Sequence, residues 1–382
     1  IENVNEWTNF GSGATLMSDE FQAIIDVSGI YKRNYFKYKF DDSELSTALN
    51  NWFDDSSGAI VNYGHISNWD VSQVTNMNSL FKDKTSFNED ISGWNVSNVT
   101  TLWQTFEGAT NFNQDISSWN VSKVTSMAAT FYNATNFNQP LDNWDVSSVI
   151  SMAWMFRGAE NFNQDLNSWT TSSLNDTSSM FQHAFKFNGA IGNWDTSEVT
   201  NMYLMFSAWS SEETFGVFDQ DIGGWNVSKV TSMNAMFGNQ FNFNQPLDSW
   251  NVSDLQDAGG LFLNCINFNQ PLNNWNMSSA NNTEAMFHSA ENFNQDIGGW
   301  TMSNVTNMTN MFYYTLAFNQ PIGTWDVSKV TNMGGAFYRA SAFNQPLNSW
   351  NVFGVTSMVS MFNDATYFNQ DISNWNIENV ND

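Results

Sequence analysis

The side chains that most often carry catalysis or bind metals are few in this chain and lie far apart. Its 382 residues include three histidines, His65, His183 and His288, and one cysteine, Cys265. Catalysis requires a few unlike groups that converge on one site. The sequence has no His-Glu-x-x-His, paired-cysteine, phosphate-loop or Gly-x-Ser-x-Gly pattern. It therefore predicts a protein that is not an enzyme and has no cofactor.

Calcium is the one metal that the abundant carboxylates bring into consideration. Calcium requires about six to eight converging oxygens, and neither an EF-hand loop nor a Gly-Gly-x-Gly-x-Asp repeat is present. The weak candidates for calcium ligands are Asp54 and Asp55, together with the carboxylates of an insertion described below. Cys265 stands where most other repeats have alanine, so we expect a small buried thiol there.

The charge of the chain limits its partners. Twelve Lys and Arg residues against 38 Asp and Glu residues give a net charge of -26 and a pI near 4.1. Such a chain repels phosphate backbones and anionic lipid surfaces, so nucleic acid is a poor partner. No apolar run is long enough to predict membrane insertion within this segment. The small neutral polar residues and the excess of acid suit an extracellular setting.

A tryptophan returns at a fixed interval through most of the chain. Each step is 25 residues except one of 31, between Trp194 and Trp225. A period of this length predicts a solenoid, in which each coil buries its apolar side against its neighbours. The repeat tryptophans, each counted below as position 0 of its repeat, are Trp69, Trp94, Trp119, Trp144, Trp169, Trp194, Trp225, Trp250, Trp275, Trp300, Trp325, Trp350 and Trp375.

The apolar spacing within one repeat predicts two elements per coil. Ile116, Trp119, Val121 and Val124 follow the spacing of a leucine-rich repeat, which predicts a short parallel strand around residues 118–122. Thr125 would then cap a helix that buries residues spaced three, four and seven apart. The predicted fold is therefore an α/β solenoid, a right-handed leucine-rich-repeat-like stack of about 13 coils, each with a strand and a helix.

We expect three segments along the chain. Residues 1–41 have no repeat, and within them residues 31–40 are aromatic and basic, which favours a strand or an interdomain segment over a docking patch. Residues 42–62 hold a capping helix and the entry to the array, because Asp42, Ser43 and Glu44 precede an amphipathic pattern. Residues 63–382 form the solenoid, with a six-residue insertion within 207–217.

Several identities return at the same repeat position. Phenylalanine occupies positions 12 and 18 in every complete repeat, from Phe81 and Phe87 to Phe362 and Phe368, which predicts two stacked columns of rings. Asparagines such as Asn113 and Asn138 return near position 19, and we expect them to bond turn backbone in the adjacent coil.

Diversity is concentrated at positions 9, 10, 13 and 14, which the predicted helix would turn outward. Exposed aromatic and arginine side chains are frequent anchors of binding. Relaxed constraint on a solvated helix explains the same diversity equally well. The insertion bulges from the same side, and inserted loops often carry function. The candidate binding residues are Trp103, Tyr132, Trp154, Arg157, Tyr203, Trp209, Tyr313, Tyr314, Tyr338 and Arg339, with His183 and His288 at the same positions.

The repeat resembles that of the bacterial BspA-like leucine-rich-repeat surface proteins. It is similar to the branch with a 25-residue Phe-Asn-Gln-x-Ile-x-x-Trp-Asp/Asn-Val-Ser-x-Val-Thr-x-Met unit, and the likeness covers residues 63–380. Thr177, Ala258 and Thr283 depart from the usual methionine. The resemblance implies a secreted or cell-surface protein that acts in adhesion or protein binding. Fold transfers through such a likeness better than function.

These observations predict a non-enzymatic surface or secreted binding protein of the adhesin type, with a protein or a glycan as its partner. The first alternative is structural: a spacer, or a subunit of a filament or layer in which copies of the chain assemble end to end. A further alternative is ice binding by a flat sheet face of small polar residues, such as Ser118, Asn120 and Ser122.

Overall fold

The computed structural model describes residues 24–25, 31–32, 38–209 and 214–382. Two short antiparallel strands, β1 (Ile24–Ile25) and β2 (Tyr31–Lys32), precede helices α1 (Asp42–Asp54) and α2 (Ser56–Tyr63) and a 3-10 turn, Ile66–Asn68. Within the predicted N-terminal segment, residues 1–23, 26–30 and 33–37 lie outside this description. None of the helices in the described part of the chain has the length and apolarity needed to cross a membrane.

Helix α1 packs against the first coil of the array. Its N-cap is Asp41, one residue before the predicted start, and Asp41 and Glu44 form a reciprocal capping box. The buried side of the helix consists of Leu45, Ala48, Leu49 and Trp52. Trp52 packs edge-on against Trp69, the first repeat tryptophan, with ring centroids 6.0 Å apart.

The prediction of a strand and a helix in every coil is wrong. From Trp69 onward, the described residues form turns, with neither a helix nor a strand of two or more residues. Successive coils are joined instead by single parallel bridges at position 7, from Asn76 with Thr101 to Asn332 with Ser357. The array is therefore a stack of coils built from turns, and not an α/β leucine-rich-repeat structure.

The backbone bonding of positions 8–15 explains why no helix forms there. In one coil the N–H groups of alternate residues donate to carbonyls of the next coil, and those between them donate to the carbonyl three residues back. Ala129 and Asn133 have positive φ angles of 54° and 55°, and an α-helix of L-residues does not accommodate that conformation. A run of such turns produces the same apolar spacing as a helix.

Side-chain bonds replace the predicted strand. Asn120 Oδ1 accepts the N–H of Ser122 at 3.2 Å and its hydroxyl at 2.8 Å. Asn and Asp side chains that bond backbone two residues onward form turns in place of extended chain. The exposed surface proposed for ice binding is therefore a row of these turns, with side chains already bonded to one another, and not a flat sheet.

The predicted ring columns are confirmed. Phe106 and Phe131, at position 12 of adjacent coils, stack with centroids 5.5 Å apart. Phe131 also stacks on Phe137 of its own coil, at 3.9 Å, and Phe137 continues the second column. Trp119, beside these columns, is almost fully buried, and its indole N–H donates to the carbonyl of Ile91 at 3.1 Å. A buried indole requires such a partner, and the repeat supplies it in each coil.

The asparagine ladder at position 19 is confirmed as well. Asn113 Oδ1 accepts the backbone N–H of Asn138 at 2.9 Å, and Asn138 Oδ1 accepts that of Asn163 at the same distance. At the one ladder position occupied by a carboxylate, Asp219 Oδ1 accepts the N–H of Asn244 at 3.0 Å. The stack thus has a regular polar spine in addition to its apolar rings.

Candidate binding face

Positions 9, 10, 13 and 14 of successive coils form one surface, here called the variable face. The N–H of Ala129, at position 10, donates to the carbonyl of Ala153, at position 9 of the next coil, at 2.9 Å. The N–H of Asn133, at position 14, donates to the carbonyl of Arg157, at position 13, at 2.7 Å. The backbone beneath the variable side chains is therefore fixed from coil to coil, and the side chains lie in columns.

Three exposed aromatic rings lie on the first half of the variable face. Trp103 and Tyr203, at position 9, are each 43% exposed, and Trp154, at position 10, is 44% exposed. One coil without an aromatic residue at these two positions separates each ring from the next. We call Trp103, Trp154 and Tyr203 the aromatic row.

A cation lies beside the aromatic row. The Arg157 guanidinium lies 5.3 Å from the ring centroid of Tyr132 in the preceding coil, within cation–π range. Burial, together with the charge of Arg157, lowers the pKa of His183. His183 is thus neutral at pH 7, and the positive charge here belongs to Arg157.

A second aromatic cluster lies toward the C-terminal end of the variable face. His288, Tyr313 and Tyr338 stack in adjacent coils, with successive centroids 4.4 and 4.5 Å apart. Arg339 donates from Nε to Asp364 Oδ2 at 3.0 Å and from a terminal nitrogen to the Tyr314 hydroxyl. Its guanidinium also lies over the rings of Tyr314 and Tyr338. Four of the predicted binding residues are therefore brought together here.

A shallow groove of about 380 Å³ opens beside this cluster. Its lining includes Tyr313, Tyr338, Val359 and Ser360, together with Gly334 and Gly335. Gly335 has a φ of +60°, and a Cβ there would clash with Asn310 Oδ1. Sequence reasoning missed the groove, although two consecutive glycines at positions where other coils have tryptophan or tyrosine were the available signal.

The insertion adds a third exposed apolar surface. Trp209 is 61% exposed, and Phe215 and Val217 follow residues 210–213, which lie outside the described part. Phe215 stacks on Phe241 with centroids 3.5 Å apart. Trp209 follows Tyr203 in the same coil, but it belongs to the insertion and not to the aromatic row.

The repeats of the chain match one known family. The family model described as "Mycoplasma protein of unknown function, DUF285" matches residues 47–146, 118–215, 210–320 and 289–382. These overlapping matches cover the chain from residue 47 to its last residue. The chain belongs to the DUF285 family. DUF285 is a BspA-like repeat family, so the predicted resemblance is confirmed at that level. A comparison with curated proteins finds no match.

Of the two calcium candidates beside the cap helix, Asp55 has a structural role in this DUF285 protein. Asp55 caps α2 and accepts the N–H of Gly58 at 3.1 Å, and Asp54 is the last residue of α1. Over residues 38–209 and 214–382, no three His, Cys, Asp or Glu side chains lie together in a way that could hold a metal ion. Cys265 is buried, and burial raises the pKa of its thiol.

Proposed function

We propose that this chain is a non-enzymatic binding protein that contacts its ligand through the variable face. The observation that carries the proposal is the distribution of tryptophan. Repeat tryptophans from Trp69 to Trp350 are 2–3% exposed. Among the described tryptophans, three are more than 40% exposed, Trp103, Trp154 and Trp209, and all lie on the variable face or at the start of the insertion.

Exposed tryptophans grouped on one face are typical of binding surfaces. Tryptophan, tyrosine and arginine are enriched among the residues that dominate interface energy, and groups of exposed apolar residues mark interaction sites. The variable face carries all three types on a backbone that is bonded from coil to coil. A rigid scaffold reduces the conformational entropy lost on binding.

The chemistry of the face supports binding over catalysis. On this face His183 and His288 lie in separate coils, whereas an active site requires unlike groups that converge. Burial lowers the pKa of His288 and of His183 and raises that of the Cys265 thiol. We further propose that the protein acts at a cell surface or after secretion, as an adhesin-type module. The likeness of its 25-residue unit to one branch of the BspA-like proteins supports this location.

The proposal is tested by removing the aromatic row. The triple variant Trp103→Ala, Trp154→Ala, Tyr203→Ala is compared with wild type for binding to intact cells and to a glycan array. The matched control is Ile150→Ala, Phe353→Ala, Tyr367→Ala, which removes three exposed side chains at other repeat positions. We expect the first variant alone to lose binding. Equal binding by both triple variants would show that the row is not the contact surface.

A further inference from the structure

The aromatic row has a regular period of two coils. Ala128 and Ala129 occupy positions 9 and 10 between Trp103 and Trp154, and Ser178 and Ser179 occupy them between Trp154 and Tyr203. The backbone bonds between these coils at positions 8–14 are regular, at 2.7–3.2 Å. Since bonded parallel chains lie about 4.8 Å apart, the rings follow one another at about 10 Å. That distance is comparable with one disaccharide of an extended β-linked polysaccharide.

The row is also flat. Ala129 is 4% exposed and Ser179 is 1% exposed. Ala235 and Ala285 hold the same position in coils without an exposed tryptophan beside them, and both are partly exposed. The difference indicates that the large rings lie over the small residues of adjacent coils. At positions 9 and 10, the residues in the coils between the rings are alanine and serine, whose side chains are much smaller than the rings.

Polar side chains run parallel to the row at position 7. Thr101, Ser126, Ser151, Asp176 and Asn201 are all partly exposed there. Several of their oxygens already accept the backbone N–H two residues onward, as Asn201 Oδ1 does from Tyr203 at 3.1 Å, and their remaining lone pairs and amide groups can bond sugar hydroxyls at the edge of the row. Asp176 and the net charge of -26 repel a polyanion. Arg157, the cation beside the row, already contacts the ring of Tyr132.

We propose that the aromatic row holds an extended, uncharged, β-linked polysaccharide along the stacking axis, with a sugar ring against each aromatic ring; this rests on the proposed binding function. In such a polymer every second sugar presents the same face. A platform with the period of one disaccharide therefore meets equivalent faces at all three rings. A protein partner has no such period, so the spacing favours the polymer.

The first experiment uses defined polymers. The full chain is incubated with microcrystalline cellulose, chitin and soluble mixed-linkage β-glucan, with alginate as the charged control. We expect binding to at least one neutral polymer and none to alginate. Because Trp154 is the central ring, Trp154→Ala should weaken that binding about tenfold or more, as loss of a dominant interface residue does. Tyr367→Ala removes an exposed aromatic ring outside the variable face and should leave binding unchanged.

The second experiment tests the period itself. Ala153 and Ala128 both occupy position 9, where Trp103 already shows that a tryptophan fits. The double variant W154A/A153W returns a ring to the same coil and should recover binding to within about threefold of wild type. W154A/A128W places the ring one coil away and should stay as weak as W154A. Equal recovery of binding by both double variants would indicate non-specific adsorption through any added tryptophan and would overturn the proposal.

Melting curves show whether each variant is folded. If W154A/A153W unfolds, Trp154→Phe is the substitute, since it keeps a ring in place and should retain most of the binding. Failure of the inference is distinguishable from failure of the proposed function. Binding to cells that depends on the row, with no binding to any neutral polymer, would indicate a protein partner and sink this inference alone.

Discussion

Asp42 Oδ1 accepts the backbone N–H of Thr75 at 2.7 Å, at the place where each later coil uses a carbonyl. In the following coil the N–H of Thr100 donates to the Thr75 carbonyl at 2.8 Å. Asp42 also accepts the N–H of Asn76 and the hydroxyl of Thr75. Helix α1 thus supplies, through one side chain, acceptors that a preceding coil would otherwise provide.

Replacing Asp42 should therefore destabilise the first coil. Asp42→Ala removes three hydrogen bonds to a charged acceptor, each of which contributes more than a neutral one. Because the carboxylate is exposed, we expect the free energy of unfolding to fall by only about 1–2 kcal/mol. Urea denaturation of both proteins at pH 7 measures the difference. Asp142→Asn, which changes an exposed carboxylate elsewhere in the array, is the control.

The contribution of Asp42 should depend on pH in a defined direction. Burial alone would raise the pKa of Asp42, but the bonds from Thr75 and Asn76 outweigh it and the pKa is lowered. A carboxyl with a lowered folded pKa stabilises fully above its unfolded pKa, about 3.9. The difference between wild type and Asp42→Ala should therefore shrink as the pH falls below about 4. A constant difference down to pH 2 would contradict the assignment.

The asparagine ladder makes a position-specific prediction. Asn138 Oδ1 accepts the N–H of Asn163 at 2.9 Å and the side-chain amide of Gln164 at 2.8 Å. Asn138→Leu leaves both donors without this acceptor and should cost about 2–3 kcal/mol. Asn138→Asp keeps the acceptor, as Asp219 does naturally, and should cost less than about 1 kcal/mol. Similar losses in thermal and urea unfolding for both variants would show that the ladder bond is not what the position requires.

The ring columns and the asparagine ladder could be predicted because their identities are constant. Phe131 and Phe137 return every 25 residues, so any structure that stacks the repeats brings like rings together. The local backbone could not be predicted in the same way. Met127, Phe131 and Ala134 are spaced as on a helix, yet left-handed residues interrupt them at position 10, Ala129 here and Trp154 in the next coil, and at position 14, Asn133. Of these three residue types, only asparagine commonly has a positive φ.

The sequence predicted which repeat positions form the candidate face, but it did not predict how their side chains are arranged. Tyr313, Tyr338 and Arg339 were found because they are aromatic or arginine residues at positions where the repeats differ. The groove beside Tyr313 and Tyr338 depends on Gly334 and Gly335, where the informative feature is a missing side chain. The two-coil period of the aromatic row depends on which coils carry rings, and it became apparent only when bonded neighbours were known.

Cys265 should be unreactive in the folded protein. Its thiol donates to the Phe237 carbonyl at 3.1 Å, and burial raises the pKa of the thiol. Little reactive thiolate is therefore present near neutral pH. A disulfide reagent should label it only after unfolding by urea. Thr315 makes the equivalent bond to the Phe287 carbonyl at 2.7 Å, so Cys265→Thr should leave stability within about 1 kcal/mol. Rapid labelling of the native protein would place Cys265 at an accessible site.

Gln240 should be the residue on which the insertion depends most. Its side chain is almost fully buried, its Oε1 accepts the N–H of Phe218 at 2.9 Å, and its Nε2 donates to the Phe206 carbonyl. Most other coils have alanine at this position, because the coil that precedes each of them has no insertion. Gln240→Ala leaves two buried backbone groups of the longer coil, the Phe218 N–H and the Phe206 carbonyl, without this hydrogen-bond partner. The free energy of unfolding should fall by about 2–4 kcal/mol. Gln104→Ala, at a partly exposed position, should cost less than about 1 kcal/mol in the same urea titration. Equal losses for the two variants would mean that the backbone beside Phe218 finds another partner and that Gln240 does not hold the insertion in place.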